Sequence, residues 1–409
     1  MPAPITNDAI ILGILICVLT AIFWTSDQPR FRTFYRYCPA LLLCYFVPAL
    51  LRTTGVVNPT ESNLYFVASR YLLPASLVLL TLGLDLKAIA SLGPKIIIVF
   101  LAGTIGVVIG APLSLLIVSA INPDLLGGQG PDAVWRGMTT LAGSWIGGGA
   151  NQTAMKEVFA VGDDIFSQFV AVDVLVANLW LPFLLYGAGI SKTIDKKIGA
   201  DTTAIEELKS KIESYRKQHK RIASQTDVFL ILAVGFGATA IGHFGADVLS
   251  PWIESNYPSL AKFSLTSKFF WIIVLATTIG VSLSMTSASK LEGAGASTIG
   301  SVFLYILVAT IGMKMNLLAI TESPELFLVG LIWIAIHAAM VVGVGVLIKA
   351  PFFFIAVGSQ ANIGGAASAP VVASAFHPSL APVGVMMAVL GYALGTYAAW
   401  FCGIVLQMI

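Results

Sequence analysis

The sequence predicts an all-α polytopic membrane protein, and three observations carry that prediction. Apolar residues make up 57% of the chain and charged residues only 11%, where soluble domains average about 45–50% and about 25%. About twelve apolar segments approach the length of a membrane span. Two of those segments carry a polar, glycine-broken stretch where a lipid-spanning helix is expected.

The segments run over 7–25, 37–54, 64–84, 95–121, 136–161, 165–190, 226–248, 266–286, 294–313, 326–348, 350–376 and 382–408. Each is near the ~20 residues that a rise of 1.5 Å per residue requires to cross hydrocarbon. The first has no basic residue before it and no small-residue cleavage signature, so it reads as a span and not as a removed signal peptide. Between the sixth and seventh lies a different kind of sequence. Residues 191–225 hold nine Lys/Arg, and Ile205, Leu208, Ile212, Tyr215 and Ile222 recur at helical spacing. Thr203 and Glu206 have capping-box spacing at its start. The expected organisation is a first transmembrane repeat over 1–190, a cytoplasmic amphipathic linker over 191–225 and a second repeat over 226–409.

Two matches support a repeat. Thr81-Leu82-Gly83-Leu84-Asp85-Leu86-Lys87 parallels Thr310-Ile311-Gly312-Met313-Lys314-Met315-Asn316, and the two broken stretches follow in the same order. Twelve full crossings would make the halves parallel, whereas inverted repeats need an odd number of crossings between matching helices. The charges conflict as well. Arg30, Arg32, Arg36, Lys87 and Lys95 favour an outside N-terminus, and the linker favours an inside one if all twelve segments cross. A hidden crossing or a segment that does not span would remove both conflicts.

The broken stretches are Gly143-Ser144-Trp145-Ile146-Gly147-Gly148-Gly149-Ala150-Asn151-Gln152-Thr153-Ala154 and Gly358-Ser359-Gln360-Ala361-Asn362-Ile363-Gly364-Gly365-Ala366-Ala367-Ser368-Ala369. Gly147, Gly148, Gly149, Gly364 and Gly365 let the helix unwind, which hydrocarbon tolerates only where freed backbone is buried or lines a watery cavity. Ser144, Asn151, Gln152, Thr153, Ser359, Gln360, Asn362 and Ser368 supply hard oxygens and amides suited to Na⁺ or a small polar solute. The bland reading of the glycines is close helix packing. It is weaker for four amides buried at matched breaks. Asp173 sits in mid-segment, where a carboxylate costs roughly 2.5–3.5 kcal/mol on insertion scales and faces the bundle interior. It is a candidate Na⁺ or H⁺ carrier. His337 could relay protons, though a neutral histidine bonded to a neighbouring helix is the plainer reading. Lys156 and Glu157 read as interfacial groups reaching water.

Other classes find no support. A net charge of +2 implies no nucleic-acid partner, and Cys17, Cys38, Cys44 and Cys402 have no metal-ligand spacing. No catalytic motif and no nucleotide-binding loop is present, so neither an enzyme nor an ATP-driven pump is expected. No cofactor is expected beyond a coupling Na⁺ or H⁺. The partners are the lipid bilayer of the plasma membrane and a small-molecule or ion substrate, with a homodimer left open.

The stretch Gly143 to Ala154, Asp173, Gln360-Ala361-Asn362-Ile363-Gly364-Gly365 and Leu390-Gly391-Tyr392-Ala393-Leu394-Gly395 resemble the YjcL-like family of uncharacterised membrane proteins. The resemblance covers nearly the whole chain and extends distantly to cation:proton antiporters and bile acid:sodium symporters. It implies about 12–13 transmembrane helices in two inverted repeats, with a panel and a core in which two discontinuous helices cross. Asp173 would then stand at an ion-binding position, without an adjacent acid and with Ala388 at the matching place. The expected function is symport of a small organic solute with Na⁺ or H⁺. The alternatives are a monovalent cation:proton antiporter and a non-transporting scaffold or sensor.

Overall fold

The computed structural model describes residues 5–38, 40–59, 62–84, 89–90, 92–202, 205, 222–315, 324–377 and 380–409. Its longer helices are α1 (Asp8–Ser26), α2 (Ala40–Thr53), α3 (Leu64–Leu82), α4 (Pro94–Ser119), α5 (Val134–Val158), α6 (Asp163–Gly189), α7 (Gln225–Asn256), α8 (Lys268–Ser284), α9 (Ala296–Gly312), α10 (Glu325–Leu347), α11 (Phe352–Ile363), α12 (Gly365–Phe376) and α13 (Ala381–Leu406). Every apolar segment of the sequence is helical where described. Among the described residues, seven helices are long and apolar enough to cross a bilayer, and nine if two bent pairs each count as one span. Residues 206–221 of the expected linker helix, Thr203 and Glu206 of its cap, and Asp85, Leu86, Lys87 and Asn316 of the repeat motif lie outside the described residues.

Local chemistry sets several helix starts. The Asn7 side chain accepts from the Ala9 and Ile10 N–H groups at α1. At α7, Ser224 and Asp227 form a reciprocal capping box, which satisfies donors that the first helical turn leaves free. A short helix, Ser191–Ile198, opens the linker, and its Asp195 accepts the Phe352 N–H at the start of α11 at 2.7 Å. Burial raises the Asp195 carboxyl above the ordinary carboxylate range, while that backbone bond works against the rise.

Two segments fold back instead of crossing. In α5 the chain bends at Gly148, so residues 134–147 and 149–158 form two arms of a hairpin. A methyl group on Gly143 would come within 2.6 Å of the Asn151 carbonyl, eight residues away along a helix that would otherwise separate them by about 12 Å. At the open end, Arg136 donates to the Phe159 carbonyl and the Trp135 and Phe159 rings meet at 6.1 Å. The pair α11–α12 does the same in the second half, where Phe353 and Phe376 at its open end stack edge to face at 5.2 Å.

The expected spans over 136–161 and 350–376, and the expected crossing of two discontinuous helices, are therefore corrected to two re-entrant hairpins. Length and hydropathy report burial, not direction, and a Gly-broken apolar segment satisfies both whether it continues or returns.

The hairpins open at opposite ends of the bundle. The open end of α11–α12 lies beside the linker, through Asp195 and Phe352. The open end of α5 lies at the other end, where Asp132 accepts the Ile165 N–H at the start of α6. Directions of the remaining helices follow from contacts at their ends. Lys95 at the start of α4 donates to the Lys349 carbonyl just beyond α10. Tyr65 and Arg70 in α3 reach Glu157 at the end of α5. Glu292, before α9, packs on Gly83 at the end of α3, and Gly403 of α13 packs on Phe159. Pair by pair, α3 thus runs opposite to α9, α4 opposite to α10 and α6 opposite to α13. With α5 not crossing, an odd number of crossings separates α3 from α9.

The same correction removes the charge conflict. The linker begins and ends at one end of the bundle, and Arg30, Arg32, Lys95 and Lys349 lie at that end too. An excess of basic residues at one end is the pattern of a cytoplasmic face. A direct check uses a cysteine-free background carrying Gln129→Cys or Ala160→Cys, one on each side of α5. Both are expected to react with a membrane-impermeant maleimide from outside. Labelling from opposite faces would mean that α5 crosses.

By their contacts the helices form two groups. Helices α1, α2, α3, α7, α8 and α9 pack on one another, with α3 central to α7, α8 and α9. Helices α4, α6, α10 and α13 surround the hairpins, with α13 against α5 and α12 and α4 against α10 and α11.

Candidate functional site

The tips of the two hairpins meet. Gly148 adopts φ 72° and ψ −174°, a conformation open in practice only to glycine. Gly365 has φ 53°, and a Cβ there would lie 3.7 Å from the Gly148 Cα. Tyr392 of α13 stands between the tips. A Cβ on Gly148 would be 3.3 Å from its ring, and its hydroxyl faces the Ala366 N–H at the start of α12.

Each hairpin is pinned by an asparagine to a helix of the other half of the chain. Asn151 Nδ2 donates to the Gly147 carbonyl at 3.0 Å, across the break, and to the Tyr392 carbonyl at 3.2 Å. Its Oδ1 accepts from Thr396 at 2.7 Å. Asn362 Nδ2 donates to the Gly358 and Phe100 carbonyls, both at 3.0 Å, and its Oδ1 accepts from Thr104 at 2.8 Å. The receiving helices carry the same pattern: Phe100-Leu101-Ala102-Gly103-Thr104 in α4 and Tyr392-Ala393-Leu394-Gly395-Thr396 in α13. The glycine allows the approach, since a Cβ on Gly103 or Gly395 would lie 2.8 or 2.7 Å from the asparagine nitrogen. Both asparagines are fully buried, with every side-chain polar atom bonded. Thr104 and Thr396 were absent from the candidate residues, although the repeated aromatic-x-x-Gly-Thr pattern was there to be found.

Asp173 of α6 is buried and surrounded by donors. Ser144 Oγ donates to Oδ2 at 2.6 Å, Gln152 Nε2 to Oδ2 at 3.1 Å and Trp145 Nε1 to Oδ1 at 2.8 Å. Gln152 Oε1 in turn accepts from Tyr45 of α2 at 3.3 Å, linking the cluster to the other group of helices. Two arms of one hairpin thus converge on one carboxylate with neutral donors only. Thr153 stands apart from it, its hydroxyl bonded to the Gly149 carbonyl within its own arm.

In the second hairpin the polar residues divide into three sets. Asn362 is in its clamp. Ser359 accepts from Trp180 Nε1 at 2.9 Å and lies 2.9 Å from His337 Nε2, while His337 Nδ1 is 3.0 Å from the Gly103 carbonyl. A carbonyl can only accept, so Nδ1 carries the proton and Nε2 accepts from Ser359. That is a neutral histidine holding α10 to α11 and α4, with no proton path built from it. The third set is Gln360, whose Nε2 donates to Ser368 Oγ at 2.6 Å across the break.

Lys156 and Glu157 do not reach water as single interfacial groups. Lys156 is buried against Asp163 at 2.7 Å, and Glu157 pairs with Arg70 at 2.7 Å while accepting from the Tyr65 hydroxyl. Arg70 and Tyr65 belong to α3, so this ion pair also joins the two groups of helices. The sequence offered no spacing that linked Glu157 to Arg70, 87 residues away.

A family model described as protein of unknown function, DUF819, matches residues 13–409. The chain is also similar to the uncharacterized membrane protein YjcL of Bacillus subtilis (strain 168), at 23% identity over 411 residues and 97% of each chain.

Proposed function

Since the chain belongs to the DUF819 family of multi-pass membrane proteins, its activity is read from its geometry, and we propose an ion-coupled secondary transporter working by alternating access. It moves a small organic solute together with Na⁺ or H⁺. One observation carries this reading: re-entrant hairpins enter from opposite ends and touch at Gly148 and Gly365. Non-helical backbone at membrane depth persists only in protein or beside a watery cavity, and a matched pair of such breaks between two half-chains is the mark of a transport site. The helices around the hairpins act as the moving core and α1–α3 with α7–α9 as the panel. Solute and ion bind at the tips, against Leu304 and Tyr45 of the panel, whose atoms reach Gly149 and Gln152. A monovalent cation:proton antiporter is the second reading, favoured by the buried carboxylate of Asp173 among neutral donors.

The test begins with a thermal-shift screen of small solutes on purified protein, since a ligand bound only by the folded state raises the midpoint by mass action. Each hit then enters a proteoliposome uptake assay under an imposed Na⁺ gradient and, separately, a pH gradient. Accumulation above equilibrium under either gradient supports symport. Hits that never accumulate, with ²²Na⁺ released in exchange for protons, would replace it by antiport.

A further inference from the structure

We infer that the crook of the second hairpin is a Na⁺ site, built from the side-chain oxygens of Gln360 and Ser368 at the break between α11 and α12. The inference deepens the transport reading, on which it rests only for the purpose of the ion. Gln360 is 2% exposed, and its Oε1 has no hydrogen-bond partner among the described residues. A buried acceptor left unpaired is unfavourable, and a ligand that supplies a positive charge relieves it.

The rest of the tip decides which ligand. The Gln360 amide N–H₂ is taken by Ser368 Oγ. The Ala366 N–H, an orphan donor at the start of α12, faces the Tyr392 hydroxyl. Asn362, two residues on and so on the other side of α11, has all its polar atoms engaged. The acceptors left open at this tip are Gln360 Oε1, the second lone pair of Ser368 Oγ and the carbonyls of Ala361 to Ile363 at the end of α11, beyond the Gln360 carbonyl that takes the Gly364 N–H. Gly364 lies directly beneath the pair, with a Cβ there colliding with both Ser368 Oγ and Gln360 Nε2. The cradle is neutral, acceptor-rich and at mid-depth, which suits a dehydrated monovalent cation rather than an anion. Asp173 offers no such opening, because three donors already point at its two oxygens.

The experiment uses the purified full chain in detergent, with no solute and no gradient. Its thermal midpoint is followed in NaCl, KCl and choline chloride at constant ionic strength. The parent is expected to be stabilised by Na⁺ saturably and selectively. Gln360→Leu and Ser368→Ala should each raise the half-saturating Na⁺ concentration at least tenfold, while Gln360→Glu, which keeps an oxygen in place, retains the Na⁺ response. Either of the first two variants suffices if the other does not fold. Equal shifts in all three salts, no Na⁺ shift in the parent, or half-saturation within twofold of the parent in the folded variants would each overturn the site. A parent that accumulates solute yet shows no Na⁺-selective shift removes this site and leaves transport standing. A parent that binds Na⁺ and moves no solute does the reverse.

Discussion

Asp173→Asn is expected to fold with a thermal midpoint within a few degrees of the parent and to lose accumulation of solute against a gradient altogether. The local bonds explain why the fold survives. An asparagine presents one oxygen to Trp145 or to Ser144 and one amide nitrogen where Oδ2 now accepts two bonds. Ser144 can turn its hydroxyl to accept, and Gln152 can reverse its amide because its other partner, the Tyr45 hydroxyl, serves as donor or acceptor. What cannot be replaced is the charge and, on the proposed mechanism, its ability to take and release a proton during the cycle. Asp173→Ala is the structural contrast. It strands three buried donors, each worth about 1–3 kcal/mol when unpaired, and a drop in stability of roughly 3 kcal/mol or more follows. Proteoliposome uptake under Na⁺ and pH gradients, beside thermal unfolding of both variants, makes the measurement. An Asp173→Asn protein that concentrates solute like the parent would make Asp173 a purely structural anchor.

Gly148→Ala should reduce uptake at least tenfold and lower stability by about 1–3 kcal/mol, the usual strain of a side chain at such a backbone angle. Its φ of 72° and ψ of −174° turn the first hairpin around. Its Cβ would press to 3.3 Å on the Tyr392 ring, which itself faces the second hairpin. One methyl therefore disturbs both tips at once. Gly343→Ala is the control, because a Cβ there meets nothing within 4 Å and alanine favours a helix over glycine by roughly 1 kcal/mol. Uptake and unfolding of the two variants side by side decide it. A Gly148→Ala protein with full uptake would show that the tip does not need this geometry.

The helical membrane fold was legible because burial in lipid writes itself into composition, and the apolar segments fell on helices wherever the chain is described. Direction was not legible. The stretch 136–161 is apolar and long enough to cross, and only the angles at Gly148 turn it back. The charges held the missing information: Arg30 and Arg32 share a face with the linker only if one intervening segment returns to where it began. At the site, Ser144, Gln152 and Asp173 came together from two helices, as polar groups sharing a buried environment must. Asn151 and Asn362 instead went to separate clamps. Their partners, Thr104 and Thr396, escaped notice because threonine in a lipid-facing segment is unremarkable until its neighbour across the interface is known. Glu157 and Arg70 could not be paired from sequence, since nothing local relates the end of a hairpin arm to the middle of α3.

The asparagine clamps also set an order on biogenesis. Asn151 enters the membrane with the first half of the chain, but its partners Tyr392 and Thr396 lie more than 240 residues later, in α13. At about 5–20 residues per second, a nascent chain waits on the order of 10–50 s with the Asn151 amide bonded only within its own hairpin, to the Gly147 carbonyl. Asn362, made late, finds Phe100 and Thr104 already in place. The second hairpin can therefore dock as it emerges, whereas the first stays unfinished until α13 is made. A chain that stops short of α13 therefore keeps Asn151 without its Tyr392 and Thr396 partners.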